Sequence, residues 1–313
     1  MDITASMRVF VTVVEAGGFS AAAIRLGMSR AMVSKHVARL EDHLGARLLN
    51  RTTRRLSLTE SGAGFHERSA QILADIAEAE AIAGGAAVQP RGLLRITLPL
   101  SYGLHRLGPV IAEYAQRHPQ VKLDLSLSDR RVDLVEEGFD LAVRVGRLPE
   151  SGLIARKLGA ERSIVVASPA YLEQHGVPLT PAELSRHVCL GYSLARSGEE
   201  WRLQGPEGLV QVRCSGPIKA DNGDILRLAA LHGAGLIFQP DFIVGDDVRA
   251  GKLVRVLPDH ASEELGVYAV YPSRKHVSAK VRSFIDFLTR QWHGEGAAPP
   301  ASAAKKLPVM EKI

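Results

Sequence analysis

The sequence has few cysteines and no long apolar run, and each absence excludes a class of protein. Only Cys189 and Cys214 are present among 313 residues, which does not suggest a disulfide scaffold. No run approaches the ~18 consecutive apolar residues of a transmembrane helix. The opening residues, MDITASMR, lack the basic stretch and apolar block of a secretory signal. We therefore expect a cytoplasmic protein.

The motifs of common enzyme classes are also missing. The eleven histidines are dispersed, and no His-Glu-x-x-His or Cys-x-x-Cys pairing indicates a metal site. There is no Gly-x-Ser-x-Gly nucleophile elbow, no dinucleotide-binding fingerprint and no phosphate loop. The sequence thus predicts a protein that is not an enzyme, holds no metal and uses no cofactor.

Excess positive charge is confined to the N-terminal segment. Residues 1–58 contain nine Lys and Arg against four Asp and Glu, whereas the remaining 255 residues contain thirty of each. A basic segment on an otherwise balanced chain is what contact with a polyanion requires. This distribution indicates that the N-terminal segment alone contacts nucleic acid.

The basic segment has the pattern of a helix-turn-helix. Apolar residues in 33–44 recur at steps of 4, 3 and 4, which places them on one face of a helix. Ser29 can cap the start of this helix, and Gly45 can end it. A shorter helical segment, 20–27, precedes it. Two short helices joined by a glycine-containing turn are typical of a helix-turn-helix, whose second helix enters the major groove.

Three further segments complete this part of the chain. An apolar repeat in 3–14 predicts a first helix, and two short apolar pieces around a basic tip in 46–58 predict a β-hairpin wing. Thr59 can cap a following helix of roughly 25 residues. A helix this long either packs on its own chain or pairs with another copy. We favour pairing, because two-fold symmetry lengthens the DNA site.

From residue 91 the sequence alternates between strand and helix patterns. Strand-like segments such as 93–98, 121–127 and 140–145 alternate with helical segments such as 104–116 and 131–137. Such alternation predicts parallel sheets built from βαβ units. The residues up to 293 suffice for two α/β lobes with a cleft, and ligands of such sheets bind outside the carboxyl ends of the strands.

The motifs of residues 10–62 resemble those of the LysR-type transcriptional regulators. They are Phe19–Ala23, Val33–Lys35, Leu40–Glu41, Leu44–Gly45, Leu48–Arg51 and Leu58–Gly62. The resemblance continues to about Trp292, through segments that look like the effector domain of this family: 92–96, 134–142 and 167–172. One departure is Ala31–Met32, where the family frequently has Pro–Ala, and we expect a different base preference there.

The resemblance implies an α/β fold in which an N-terminal winged helix-turn-helix and a long linker helix precede a two-lobed effector domain. That domain is similar to type 2 periplasmic binding proteins. The implied function is a sequence-specific DNA-binding transcriptional regulator, whose promoter activity is controlled by a small molecule bound between the lobes. The implied partners are double-stranded DNA, an unidentified effector and further copies of the chain, as a homodimer through the linker helix and a homotetramer. No membrane partner is expected.

These patterns divide the chain into four parts. We expect the DNA-binding domain at 1–58, the linker helix and hinge at 59–90, and the effector-binding domain at 91–293. Lobe I is expected at about 91–161 and 266–293, and lobe II at about 162–265. The last segment, 294–313, is rich in Ala, Pro, Gly and Lys without a period, which predicts a disordered tail.

On the DNA side, the candidate residues lie on the outer face of the second helix and at the wing tip. They are Arg30, Ser34, Lys35, His36, Arg39, Arg51, Thr52 and Arg54. The helix residues are expected to face base edges or flanking phosphates, and the wing residues the backbone or minor groove. For His36 and Arg39, packing within the domain is an equally good interpretation.

On the effector side, the candidates follow predicted strands or open helices. They are Ser101, Tyr102, Ser128, Asp129, Arg144, Tyr192, Asn222, Asp224 and Pro240. Free N–H groups at helix starts, together with Arg144, favour an anionic or aromatic acid as the effector. Asn222 and Asp224 can instead be helix caps, and Arg144 can belong to a structural ion pair.

Two alternative functions remain at this point. A thiol redox-responsive regulator would use Cys189 and Cys214, although two buried structural thiols are the favoured interpretation of these residues. A solute-binding protein without a regulatory role would need export and would leave the basic winged segment unexplained.

Overall fold

The computed structural model describes residues 2–51, 56–83, 89–130, 132–148, 152–195, 198–272, 277–293 and 304–306. The chain divides into two compact units, Met1–Leu93 and Leu94–Ile313. Among the described residues, no helix combines the length and apolar character needed to cross a membrane.

The N-terminal unit is a helical domain with a two-stranded wing. Its elements are α1 (Ile3–Glu15), α2 (Phe19–Leu26), α3 (Arg30–Leu44), β1 (Leu49–Arg51), β2 (Leu56–Leu58) and α4 (Glu60–Ala83). Strands β1 and β2 pair antiparallel. One apolar core joins the helices to the wing, with Phe10, Val33, Val37 and Leu40 fully buried in it. The predicted winged helix-turn-helix is therefore confirmed.

Local signals fix the ends of α3 and the start of α4. Ser29 Oγ accepts a hydrogen bond from the backbone N–H of Met32 at 3.2 Å, as a helix cap does. Gly45 ends the helix in the left-handed region at φ 62°. Gly62 is needed for a different reason, since an added Cβ would lie 1.9 Å from the carbonyl oxygen of Leu48. Only glycine lets the start of α4 approach the wing this closely.

From residue 92 the chain forms two α/β lobes. The first elements are β3 (Gly92–Leu98), α5 (Leu100–Tyr102), a π-helical turn (Gly103–Leu107), α6 (Gly108–Arg117), β4 (Val121–Leu127), β5 (Leu141–Val145), β6 (Leu153–Glu161) and β7 (Ser163–Ala167). They are followed by α7 (Pro169–His175), a 3₁₀ turn (Pro181–Arg186), β8 (Gly191–Tyr192), β9 (Glu200–Gly205), β10 (Gly208–Arg213), β11 (Lys219–Ala220) and α8 (Gly223–Leu231). The last are β12 (Ile237–Pro240), α9 (Asp241–Arg249), β13 (Val254–Val256), β14 (Leu265–Pro272), α10 (Ala279–His293) and β15 (Ala304–Lys306).

Lobe I is built on a mixed sheet in the order β15-β6-β14-β5-β3-β4. β3 and β5 are parallel, but β14 runs antiparallel to both β5 and β6. The prediction of parallel sheets is therefore wrong for β14, and it is also wrong for β7 of lobe II, whose two neighbours are antiparallel to it. The alternation of strands and helices reports local connections, whereas β14 returns from lobe II and enters the sheet in the opposite direction.

Lobe II contains smaller sheets. β12 and β13 flank β7 and run antiparallel to it, β8 pairs parallel with β11, and β9 and β10 form an antiparallel hairpin. The chain enters this lobe between β6 and β7 and leaves it between β13 and β14. Polar groups of the two lobes meet close to these crossings.

Two other predicted segments differ in the structure. The helix expected at 131–137 is absent, because residues 134–138 form turns. Asp133 Oδ1 accepts hydrogen bonds from the N–H groups of Val135 and Glu136, and such a side-chain turn competes with a helix. In the segment expected to be disordered, the described residues Ala304–Lys306 pair with β6. The prediction rested on amino-acid composition, which does not indicate whether a segment pairs through its backbone with a distant strand.

Candidate functional site

The outer face of α3 is polar and basic. Arg30, Lys35 and Arg39 are exposed and Ser34 is half-buried, while the opposite face is buried in the core of the unit. A capped helix that is anchored on one side and carries cations on the other can place those cations along a polyanion. Three turns of this face are available for contact.

His36 is engaged within the domain. Its Nδ1 lies 3.1 Å from Ser6 Oγ, and that hydroxyl donates to the carbonyl oxygen of Asp2. His36 therefore joins α3 to the start of α1, whereas Arg39 remains exposed. Of the two interpretations given for these residues, packing within the domain describes His36.

A carboxylate of α3 holds the base of the wing. Glu41 Oε1 accepts hydrogen bonds from the N–H groups of Leu48 at 2.9 Å and Leu49 at 3.1 Å. Sequence reasoning noted Glu41 only as part of a family motif and missed this role. Arg51 is the last residue of β1, and the other two wing candidates, Thr52 and Arg54, lie outside the described residues.

One carboxylate joins the two lobes. Ser101, just after β3, donates its hydroxyl proton to Asp224 Oδ2 at 2.7 Å, and His105 Nε2 lies 2.7 Å from Asp224 Oδ1. Asp224 belongs to the first turn of α8 in lobe II. The structure thus brings together Ser101 and Asp224, which were predicted separately. His105 was missed, although its spacing of four residues from Ser101 puts both on one helical face.

Acidic groups gather around this junction. Burial raises the pKa of the Asp129 carboxyl, a backbone hydrogen bond from Leu100 lowers it, and the nearby Asp221 and Asp224 raise it further. Arg144, on β5, opposes them by lowering the same pKa.

Tyr192 belongs to the same group, because burial raises its pKa to about 12 and Asp129 and Asp221 contribute to the increase. Asp129 lies at the end of β4 in lobe I, whereas Tyr192 and Asp221 lie in lobe II. Asp129 and Tyr192 therefore lie within electrostatic reach of carboxylates from both lobes, and Ser101 contacts Asp224 directly. Such a group can bind a polar small molecule by hydrogen bonds and charge.

Tyr102 is packed away from this group. It is fully buried, with its ring edge-on to Phe242 at 4.9 Å and stacked on Trp292 at 6.1 Å. Burial raises the pKa of its phenol. Although Tyr102 directly follows Ser101, its ring packs against Phe242 and Trp292. This packing does not support Tyr102 as an effector contact.

The remaining cleft candidates hold the ends of elements. Asn222 Oδ1 accepts from the N–H groups of Asp224 at 3.0 Å and Ile225 at 3.2 Å, which confirms that Asn222 is a helix cap. Ser128 Oγ accepts from the N–H of Arg130 at 3.2 Å. Pro240 ends β12 immediately before α9.

The two cysteines lie together in the interior of lobe II. Both are buried in one apolar cluster. Contact with Cys214, together with burial, raises the pKa of the Cys189 thiol. Within the part of the chain that the structure describes, no group of three or more His, Cys, Asp or Glu could hold a metal ion.

The junction is not arranged as a hydrolytic site. The Ser101 hydroxyl donates to a carboxylate, and the histidine beside it contacts the same carboxylate. A serine nucleophile requires a base that accepts the hydroxyl proton and is oriented by a third group.

Two family models together match most of the chain. Residues 4–63 match the bacterial regulatory helix-turn-helix proteins of the lysR family, and residues 87–293 match the LysR substrate-binding domain. The first covers the winged helix-turn-helix and the second covers both lobes.

Known regulators are similar over almost the whole length. The HTH-type transcriptional regulator CrgA of Neisseria meningitidis serogroup B is 40% identical over 286 residues, covering 91% of this chain and 95% of CrgA. DmlR of Escherichia coli K12 is 37% identical over 293 residues, covering 92% and 94%.

Solved structures agree with this similarity. The structure of CrgA aligns with a TM-score of 0.61 at 39% identity, covering 92% of this chain and 98% of that one. The full-length virulence activator AphB of Vibrio cholerae aligns with a TM-score of 0.60 at 31% identity and the same coverage. The protein is a transcriptional regulator with a DNA-binding and an effector-binding domain, and it is not an enzyme. The chain belongs to the LysR family of transcriptional regulators.

Proposed function

We propose that a polar small molecule binds at the junction of the two lobes and thereby controls how the protein acts at its promoter. The observation that carries this proposal is the Asp224 carboxylate of lobe II, hydrogen-bonded to Ser101 of lobe I. A ligand that competes for these groups necessarily changes how the lobes are held. Asp129, Arg144 and Tyr192 supply further hydrogen bonds and charge to the same ligand.

The charges at the junction bear on the chemistry of the effector. The expectation from the sequence was an anionic or aromatic acid, based on Arg144 and the helix starts. Around Asp129, the carboxylates of Asp221 and Asp224 raise its pKa and only Arg144 opposes them by charge. An effector with hydrogen-bond donors or an amino group therefore fits the local charge better than a simple acid.

The mechanism is a shift between two arrangements of the lobes. In the arrangement described, Ser101 and His105 contact Asp224. An effector that binds one arrangement more tightly increases the population of that arrangement. The shift in the free-energy difference between the two arrangements cannot exceed the difference in the effector's binding free energy for them.

On the DNA side, we propose that Arg30, Ser34 and Lys35 contact base edges and phosphates from the outer face of α3. Arg39 and the wing residues Arg51, Thr52 and Arg54 are proposed to contact the backbone or the minor groove. His36 is assigned to positioning, since its ring nitrogen contacts Ser6.

We also propose that the protein works as a homodimer through α4 and as a homotetramer, in the cytoplasm where a bacterial promoter is located. One recognition helix covers a few base pairs, and a two-fold pair covers two half-sites.

The effector site can be tested by thermal unfolding of the full chain with a panel of amines, amino acids and carboxylic acids. A compound that binds the folded state raises the unfolding temperature increasingly with concentration. Tyr192→Phe should lower the affinity for that compound by about three- to tenfold, because one hydrogen bond is lost. Tyr271→Phe, which changes a buried tyrosine of the lobe I core, is the matched control and should leave binding unchanged.

The regulatory part of the proposal has its own readout. A compound that stabilises the chain should also change the DNA footprint or transcription from the bound promoter. Equal weakening by Tyr192→Phe and Tyr271→Phe, or binding that changes neither footprint nor transcription, would contradict the proposal.

The thiol-based alternative is disfavoured by the surroundings of Cys189 and Cys214. A redox-sensing thiol reacts as a thiolate from an accessible position. Contact between the two thiols raises the pKa of Cys189 and lowers the pKa of Cys214, but both residues are buried in an apolar cluster and neither is accessible. We therefore assign the pair to packing of lobe II.

A further inference from the structure

Met32 is an exposed apolar side chain on the helix assigned to DNA. It lies in the first turn of α3 and is 51% exposed. Its backbone N–H donates to the Ser29 cap, so its position on the helix is fixed. Among residues 30–36, all of which the structure describes, it is the one large apolar side chain that the core does not bury.

Packing within the domain does not account for this side chain. The core contacts of α3 are made by Val33, Val37 and Leu40, which are fully buried. A scattered exposed apolar residue needs no explanation by itself. Met32, however, lies between Arg30 and Lys35, on the turns whose cations are assigned to DNA. If those cations contact DNA, the side chain of Met32 lies close to the DNA as well.

The major groove offers one apolar group to a protein, which is the 5-methyl group of thymine. Residues in the N-terminal turns of a recognition helix are those that contact base edges. A methionine is unbranched and flexible, so it can pack on a methyl group without a demanding geometry. We propose that Met32 recognises a thymine in each half-site by packing against its 5-methyl group.

The test replaces thymine by deoxyuridine, which lacks only that methyl group. A duplex is first selected from a randomised library by the full chain, and each thymine is then replaced in turn. For the wild type, one position in each half-site should lose affinity by about fourfold, the value for burying one methyl-sized group. In Met32→Ala, the thymine and deoxyuridine forms of that position should bind equally.

Two matched variants separate this contact from other effects. Ile24→Ala removes an apolar side chain that is 85% exposed on α2, and it should keep the wild-type sensitivity to deoxyuridine. Lys35→Ala should flatten the salt dependence by about one unit of slope, whereas Met32→Ala should leave that slope unchanged. Thermal unfolding should be the same for Met32→Ala and the wild type.

The proposal would be overturned if Met32→Ala retained the wild-type sensitivity at every position. It would be overturned equally if no deoxyuridine replacement lowered the affinity of the wild type. A reduced salt slope in Met32→Ala would also contradict it, since that result means a lost phosphate contact.

Discussion

Asp129 is a half-buried carboxylate whose surroundings favour its protonated form. Burial is the largest cause of the increase in its pKa, and Asp221 and Asp224 add to it. A folded-state pKa above the unfolded value means that the folded state binds the proton more tightly. The ionised Asp129 therefore reduces the stability of the folded state above this pKa, and the reduction disappears as the pH falls through it.

Asp129→Asn should consequently stabilise the protein at neutral and alkaline pH. The amide removes the charge but keeps an acceptor for the backbone N–H of Leu100. The gain in unfolding temperature should be largest well above the pKa of Asp129 and should shrink as the pH falls through it. It is measured by thermal unfolding of both chains from alkaline to acidic pH.

The control is a carboxylate whose pKa is lowered in the folded state instead of raised. Lys157, through its hydrogen bond, lowers the pKa of Glu264. Glu264→Gln should therefore give no gain in unfolding temperature at any pH. If Asp129→Asn were less stable than the wild type at every pH, the hydrogen bond from Leu100 would outweigh the cost of burial.

Residue-scale predictions from the sequence succeed where the contact is local. The cap at Ser29 and the turn at Gly45 depend on neighbours within four positions, which the pattern of residues contains. Asp224 and Ser101 are 123 positions apart, and no periodicity reports that they meet. The position of Ser101 after a strand and that of Asp224 at a helix start could be predicted. The hydrogen bond between them, and the role of His105, required the fold.

The wing of the N-terminal unit depends on a side chain from another element. Glu41 of α3 accepts two backbone hydrogen bonds, from Leu48 and Leu49. Both donors belong to buried residues and both hydrogen bonds are partly buried, so water replaces the carboxylate only in part. A charged acceptor strengthens each hydrogen bond beyond that of a neutral pair.

Glu41→Ala should release the wing locally by about 2–4 kcal/mol, because two buried N–H groups lose their acceptor. Amide hydrogen exchange in the peptide covering residues 46–58 should then speed up by at least about thirtyfold. Glu41→Gln retains an acceptor oxygen and should have a smaller effect.

Glu15→Ala is the comparison for this prediction. Glu15 pairs with Arg25 at 3.3 Å on the surface, with both side chains largely exposed, and such pairs contribute little to stability. Exchange across 46–58 should therefore stay at the wild-type rate in Glu15→Ala. The assignment fails if Glu41→Ala also leaves that rate unchanged.

Element by element, helices with regular apolar spacing are predictable and returning strands are not. α3 has both a period and two caps, and the structure contains it as expected. β14 has a clear strand pattern, but its direction depends on where the chain re-enters lobe I. The hairpin of β9 and β10 was missed altogether, although Trp201 and Leu203 alternate with polar residues in β9 and a two-residue turn joins Gly205 to Gly208.

At the scale of the whole molecule, α4 is the helix proposed to pair two copies of the chain. The first turns of this helix pack on their own unit, where Phe65 lies 5.8 Å from Phe10 and Leu73 joins the same core. Ile72 remains 46% exposed within its unit. Packing on its own chain thus describes one face of α4, and we propose that the exposed face with Ile72 contacts a second copy.

Ile72→Asp should disrupt the proposed pairing, because a carboxylate in an apolar contact must lose its hydration without gaining a partner. The mass of the assembly, measured by analytical ultracentrifugation, should fall. DNA affinity should fall by about a hundredfold or more, since two linked recognition helices bind far more tightly than one.

Ile24→Asp places the same charge on another exposed isoleucine of the same unit; it should preserve the mass, and any loss of affinity should be much smaller than that of Ile72→Asp. This comparison separates pairing from a general effect of added negative charge near DNA. If Ile72→Asp kept the wild-type mass, α4 would not be the contact between copies. A lower affinity at unchanged mass would instead show that the charge acts on DNA directly, because assembly and affinity must fall together if α4 pairs two recognition helices.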